Sequence, residues 1–199
     1  PEDMDGFEDD DGCPDPDNDK DGIPDAVDGP DGSCKNDPET VNGVDDDDGC
    51  PDKGKIVLSQ NEVVVLEKIQ FKTGSAQILP ASDAVLDAMA TVLRGHPELE
   101  LVEVQGHADV RAPDAFNLKL TQDRVKAVVA ALVARGTEPA RLRGVGYGEY
   151  CPLDPGKAES AHEKNRRVEL KVVRTSAGPT GVALGCELSR KKGVVSTSP

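Results

Sequence analysis

The sequence predicts an α/β (α+β) fold, a mixed β-sheet covered by two main helices, preceded by an irregular and highly acidic repeat segment. Three observations carry this. Charge is split along the chain, the first 52 residues repeat themselves with almost no apolar content, and strand-type and helix-type apolar periods alternate after that point.

Residues 1–52 hold 18 Asp and 3 Glu against 2 Lys and no Arg, a net charge of −19. The whole chain carries −15, so residues 53–199 carry about +4. The acidity therefore belongs to one segment, which is too polar to build an apolar core. The remaining residues suffice for one domain. Aromatics are scarce (3 Phe, 2 Tyr, no Trp), so its core must rest on Val, Leu, Ile and Ala. The expected division is 1–52, 53–174 and a flexible tail at 175–199, which is rich in Gly, Ser and Thr.

Within the acidic segment, residues 1–15 and 38–52 align at an offset of 37 with 10 of 15 identities. The chain thus begins part-way through a repeat, and further repeats are expected upstream. Between the copies lies DNDKDGIPDAVD. Asp17, Asp19 and Asp21 take loop positions 1, 3 and 5, Gly22 takes 6, and the Ile23 carbonyl takes 7. Asp25 and Asp28 fall at 9 and 12. Calcium seeks six to eight oxygens at such spacing, with glycine at the sharp turn. Asp9, Asp11 and Asp15 repeat part of the spacing, as do Asp46, Asp48 and Asp52. Flanking helices of an EF-hand are ruled out by Pro14, Pro16, Pro24 and Pro30. The plain alternative is a disordered acidic tail, against which stand the regular glycines and repeat-locked cysteines.

Lys55–Leu58 and Val63–Phe71 are rich in β-branched residues and read as strands. Pro80 opens a helix with Val85, Leu86, Met89, Val92 and Leu93 at helical spacing, ended by Gly95 and Pro97. Leu99–Gln105 reads as a mostly buried strand. A second helix runs from Pro113 to Ala134, with Leu118, Val125, Val128, Val129, Leu132 and Val133 on its apolar stripe, and Gly136 stops it. Leu142–Tyr147 is another strand. Val168, Leu170 and Val172 alternate in a last one. The order β–β–α–β–α–β–β gives the mixed sheet.

The stretch GHADVRAPDAFNLKLTQDR at 106–124 carries the chemistry. Asp109 ends a strand, Arg124 lies on the following helix, and Asn117 lies two turns before Arg124 on the same face. A carboxylate and a guanidinium converging on one cleft hold a zwitterion, the first taking an ammonium group and the second a carboxylate in bidentate fashion. The plain alternatives are a structural ion pair for Asp109 and Arg124, and a turn or cap role for Asn117. His107 is assigned a structural or loop-ordering role.

Five cysteines form no CxxC and only three His occur, which argues against a zinc ribbon and for disulfides in an oxidising compartment. The expected pairs are Cys34–Cys50, closing one acidic repeat unit, and Cys151–Cys186, pinning the tail, with Cys13 left over. No run is long and apolar enough for a membrane helix.

On DxDxDGxxDxxD and the repeated DGCPD, residues 1–52 resemble the thrombospondin type 3 repeat, an irregular chain wound around calcium ions; DGPDGSC at 28–34 departs from its usual cysteine spacing. On IQFKTGSAQILP, VQGHADVRAPDAFNLKLTQDR, RLRGVGYGE and NRRVEL, in family order, residues 69–173 resemble an OmpA-like peptidoglycan-binding domain. This resemblance implies a ligand, the diaminopimelate of the peptidoglycan stem peptide, whose free amino and carboxyl ends form the zwitterion. It also carries the site onto Asp109, Arg124, Asn117, Arg166, Arg167 and Phe71. Departures are Ala108 for the frequent Thr, RAPD at 111–114 for the usual Gly, and Cys151.

The implied function is non-enzymatic. Binding of stem peptides would anchor an outer membrane to the cell wall from its periplasmic face, with the calcium string as a spacer and an upstream membrane part expected. The alternative is an extracellular calcium-dependent adhesion module. A hydrolase lacks the expected nucleophile or metal pattern. Nucleic-acid binding is disfavoured by the acidic half and by the lack of a basic patch interleaved with aromatics.

Overall fold

The computed structural model describes residues 15–40, 45, 47–52, 56–59, 62–65 and 67–194. The chain separates into two compact units, Pro1–Gly54 and Lys55–Pro199.

In the first unit the described residues are turns and bends, with one 3-10 turn at Pro30–Gly32. Its prolines and glycines forbid longer helices. Asp28 is fully buried, and Cys34 and Cys50 are joined by a disulfide.

The second unit is one mixed sheet. Its strands are β1 (Ile56–Ser59), β2 (Glu62–Val65), β3 (Leu101–His107), β4 (Leu142–Gly148), β5 (Val168–Thr175) and β6 (Gly178–Pro179). The spatial order is β1-β2-β5-β3-β4, with β6 on β5. Among the described strands only β3 and β4 pair in parallel, as the helical crossover between them requires. The helices are α1 (Asp83–Gly95), α2 (Asp114–Ala134), α3 (Glu159–Asn165) and α4 (Glu187–Lys191).

The core is aliphatic. Met89, Val92 and Leu93 of α1 and Val125, Val128 and Leu132 of α2 pack with Val102, Val104, Leu170 and Val172 of the sheet. Glycine sets how closely α2 lies on β4. A Cβ on Gly146 would collide with the backbone nitrogen of Gln122, so the helix backbone rests directly on the strand. Gly146→Ala is therefore expected to destabilise this unit by about 1–3 kcal/mol through overpacking, read as a lower Tm. An unchanged melting curve would contradict the close approach.

The opposite face of β3 is polar yet buried. Glu103 accepts hydrogen bonds from Gln105 and from the Tyr147 hydroxyl, each 2.8 Å, and from Arg143 Nε at 3.0 Å. His107 stacks on Tyr147 at 5.4 Å. The second expected disulfide, Cys151–Cys186, is present, and Gly185 lies against the Tyr147 ring.

The structure corrects several boundaries. The strand expected over Val63–Phe71 stops at Val65. The stretch that follows bonds to itself instead, Lys72 N to Gln77 O and Leu79 N to Gln70 O, leaving Phe71 in a single bridge to Ile78. A 3-10 turn at Pro80–Ser82 precedes α1. Helix α3 is not legible from periodicity because seven residues make two turns and only Ala161, His162 and Asn165 are buried. Beyond Thr175, where a flexible tail is expected, residues through Val194 include β6 and α4, joined to the body by Cys186.

Candidate functional site

β3 ends at His107, and the chain turns through Asp109 into α2. That turn makes a cavity of about 470 Å³ whose lining includes Phe71, Thr73, Asp109, Phe116, Arg124 and Arg166. Five of the six expected ligand residues line it: Asp109, Arg124, Asn117, Arg166 and Phe71. Arg167 does not. It turns to Glu169, with Nε donating at 2.5 Å, and to the carbonyl of Cys151 at 3.3 Å.

Asp109 and Arg124 share the cavity without forming an ion pair. Asp109, 8% exposed, is held by other cations. Arg111 donates to its Oδ2 from Nη2 at 2.7 Å and from Nε at 3.1 Å, and Arg166 donates from Nη1 at 2.7 Å. Glu159 braces both arginines, at 2.8 Å from Arg111 Nη1 and 2.9 Å from Arg166 Nη2. Burial alone would raise the Asp109 pKa. The hydrogen bonds from Arg111 and Arg166 outweigh it and hold the carboxyl well below the usual carboxylate range, so it is ionised at neutral pH.

Arg124 is differently placed. Its guanidinium lies over the Phe71 ring at 4.7 Å, and Nε donates to the Ser75 carbonyl at 3.0 Å. No described carboxylate pairs with it. Burial, and then the charge of Arg166, push its pKa down, though guanidinium remains charged at any ordinary pH. A half-buried cation stacked on an aromatic ring, without an anionic partner, is arranged to receive an anion.

Asn117 is buried, and its amide nitrogen reaches the carbonyls of Asp109 at 2.8 Å and Ala112 at 3.0 Å. Its visible work is to order the loop that presents Asp109. His107 is two residues from Asp109, and strand parity alone would put both on one face. The strand ends between them, however, and His107 belongs to the Tyr147 stack, which supports a structural role.

Sequence reasoning missed Arg111, Glu159 and Ser75. Arg111 had a signal. Its backbone nitrogen bonds to Asp109 Oδ1 at 3.1 Å, the local turn an aspartate makes two residues on. Glu159 and Ser75 reach the site only through folding, from 50 and 34 residues away in sequence.

The acidic unit holds a second candidate site. Oxygens of Asp17, Asp19 and Asp21 lie within 4.8 Å of one another. One side of the group is ordered by backbone. Gly22 N donates to Asp17 at 3.1 Å, Asp21 N to Asp19 at 3.2 Å, and Ile23 N and Glu39 N to Asp21 at 2.8 Å. The other oxygens, Asp17 Oδ1 and Asp19 Oδ2, are buried without a hydrogen-bond partner, as are both oxygens of Asp28. Burial and then the surrounding carboxylates raise the pKa of Asp19 and Asp28. Buried, mutually repelling oxygens without donors suit a hard cation. Asp25 is also tied to the backbone of this loop. Its Oδ1 accepts from Asn18 N at 2.9 Å, and the Asp25 backbone nitrogen ties back to Pro16 O at 3.0 Å. Asp48 Oδ1 caps Cys50 N at 2.9 Å. Asp15 and Asp52 are half-buried. Asp9, Asp11, Asp46 and Cys13 lie outside the described residues.

A mixed sheet with two main helices on one face, and a cavity of opposed charges at the end of β3, defines a small α/β module. Residues 70–166 match the OmpA family and form an OmpA family domain. The chain is 38% identical over 101 residues to the peptidoglycan-associated lipoprotein of Pseudomonas aeruginosa, covering 51% of this chain and 59% of that protein. It is 32% identical over 104 residues to the peptidoglycan-binding protein ArfA of Mycobacterium tuberculosis, covering 52% and 32%. Among solved structures, a putative MotB-like protein from Desulfovibrio vulgaris aligns with a TM-score of 0.51 at 28% identity, over 58% of this chain and 74% of that one. The chain thus spans 59% and 32% of the length of these two curated relatives. Among the described residues no helix is long and apolar enough to cross a membrane.

Proposed function

We propose that this chain is a non-enzymatic anchor that binds peptidoglycan through the diaminopimelate of its stem peptide and ties an outer membrane to the cell wall from the periplasmic side. The observation that carries the reading is Arg124, a half-buried cation without a described carboxylate partner, sharing one cavity with the ionised Asp109. The free end of diaminopimelate offers a carboxylate for the first and an ammonium for the second. Relatives bearing the names peptidoglycan-associated lipoprotein and peptidoglycan-binding protein support the same polymer. Many sites along one polymer raise avidity even where single-site affinity is modest.

In this reading the acidic unit is a calcium-bound spacer of the thrombospondin type 3 kind. The unpartnered oxygens of Asp17, Asp19 and Asp28 are the support for a cation there. Asp21, the carbonyl of Ile23 and Asp25 complete the set that the sequence spacing expects.

The test compares stem peptides. Lysine in place of diaminopimelate keeps the ammonium but removes the carboxylate, so Arg124 is left without its partner. Calorimetry should show weaker binding of the lysine peptide by about 1.5–3 kcal/mol, the worth of a charge-assisted hydrogen bond. Equal affinities would exclude the clamp.

Arg111 adds a feature of its own. It shares Asp109 Oδ2 with Arg166, and its side chain is 51% exposed, so in this reading it is the arginine with which a ligand ammonium competes for Asp109. Arg111→Ala should therefore tighten binding by about two- to fivefold, the worth of a half-exposed ion pair. Weaker binding would show that Arg111 contacts the ligand instead.

A further inference from the structure

Behind the clamp cavity, one further carboxylate is built into its support. Glu149 directly follows β4, and the chain before it is fixed from two sides. Gly148 N donates to Thr121 Oγ1 at 3.0 Å, which ties the end of β4 to α2. Gly148 O accepts from Ala108 N at 2.8 Å, which ties it to the end of β3. Glu149 is thereby placed against the first turn of α2, where Asn117 lies.

Asn117 is 3% exposed, and its amide nitrogen meets three acceptors. They are Glu149 Oε2 at 2.5 Å, Asp109 O at 2.8 Å and Ala112 O at 3.0 Å. An amide group has two protons to give. The carboxylate makes the shortest of the three contacts, a charge-assisted one, and fixes one proton; the other is left to the two loop carbonyls. Turned over, the amide would set its oxygen against all three acceptors. The orientation of Asn117 and the hold on the loop 109–112 are therefore one arrangement, and Glu149 supplies its charged member.

The charged groups that face Glu149 are Asp114 of α2 and Asp109 of the loop. Lys192, beyond α4, lies 3.6 Å from Asp114. Burial pushes the Glu149 carboxyl up, the bond from Asn117 opposes this, and Asp114 and Asp109 add to the rise. Glu149 is not among the residues that line the clamp cavity, so its effect on a ligand must run through Asn117 and the loop. We propose that Glu149 is a positioning residue for the ligand site, orienting the Asn117 amide and through it the loop that presents Asp109. The inference rests on the zwitterion reading of the clamp. What it requires of residue 149 is an acceptor oxygen rather than a charge.

The experiment is calorimetry with meso-diaminopimelate on the full chain as wild type, Glu149→Gln and Glu149→Met, with Tm measured for each. Met keeps the length of the side chain but offers no oxygen, so it should bind about tenfold more weakly, the worth of one hydrogen bond lost from the support. Gln keeps an acceptor oxygen and should bind within about twofold of wild type. A carboxylate that served only the dipole of α2 would be lost equally in both variants. The second readout is the side-chain amide resonance of Asn117. Its bonded proton should move upfield as pH falls through the Glu149 pKa, raised above the ordinary 4.5, because a neutral carboxyl accepts more weakly than a carboxylate. In Glu149→Gln that titration should vanish. Equal affinity of wild type and Glu149→Met at matched Tm, Glu149→Gln as weak as Glu149→Met, or an Asn117 resonance that does not titrate would each overturn the positioning role and leave the clamp standing. If the wild-type chain does not bind meso-diaminopimelate, both fall together.

Discussion

Arg124→Ala should abolish most retention of this chain on purified sacculi while leaving the unit Lys55–Pro199 folded. The two halves of that expectation have separate grounds. Within the fold, the described contacts of the guanidinium are one hydrogen bond to the Ser75 carbonyl and a stack on Phe71, so its loss costs little stability. In the complex it is the receiver of the ligand carboxylate. Removing one member of a desolvated charge pair costs about 2–5 kcal/mol, because the other charge is left unpaired. That amounts to a loss of roughly thirtyfold to several thousandfold in affinity. Asp109→Ala should also lose binding, but it is the less clean test. It strips Arg111 and Arg166 of their shared partner, so stability falls with affinity. Near-wild-type retention of Arg124→Ala, at matched Tm, would sink the assignment.

The contrast between these two residues also marks what the sequence could reveal. The helical period of α1 is regular, so that element and its buried face were legible; α2 was legible as an element, but its buried face runs through Asn117 and Thr121 to Val125, Val128 and Leu132, while Leu118, Val129 and Val133 of the expected stripe are only partly buried. The strand flanking the site was not, because β-branched content continues past Val65 while the backbone turns to bond with itself. Asp109 and Arg124 were legible as a strand end and a helix face. Their actual partners were not. Arg166 closes on Asp109 through a third helix too short to show a period, and Glu159 arrives from that same helix. Leu99–Gln105 reads as mostly buried, and β3 is buried throughout; what the sequence did not show is what satisfies its polar face, where Glu103 is fully buried in a hydrogen-bond network with Tyr147 and Arg143. Sequence shows which residues share a face but not what later covers it.

Chelation should disperse the acidic unit and spare the other. The segment 1–52 carries a net charge of −19, and its described residues show no apolar cluster that offsets the repulsion. Its order in the described part rests on turns, one disulfide, and carboxylates whose inner oxygens face one another without donors. Without a cation those oxygens must either take up protons or move apart into water. The raised pKa of Asp19 and Asp28 gives the sign. Their ionised forms are disfavoured in the folded arrangement, so cation-free order should be greatest at low pH and lost as pH rises through those pKa values. Calcium should supply the missing positive charge at neutral pH, with dissociation constants of roughly 10⁻⁴ to 10⁻³ M, as for other extracellular modules. The second unit has its own aliphatic core, so its fold and its retention on sacculi should survive EDTA. Small-angle scattering and circular dichroism with and without EDTA read both effects. Unchanged dimensions would mean that the acidic segment is not a calcium string. Loss of the whole fold together would mean that the two units do not stand apart, because a core packed from α1, α2 and the sheet has no need of a cation to hold it.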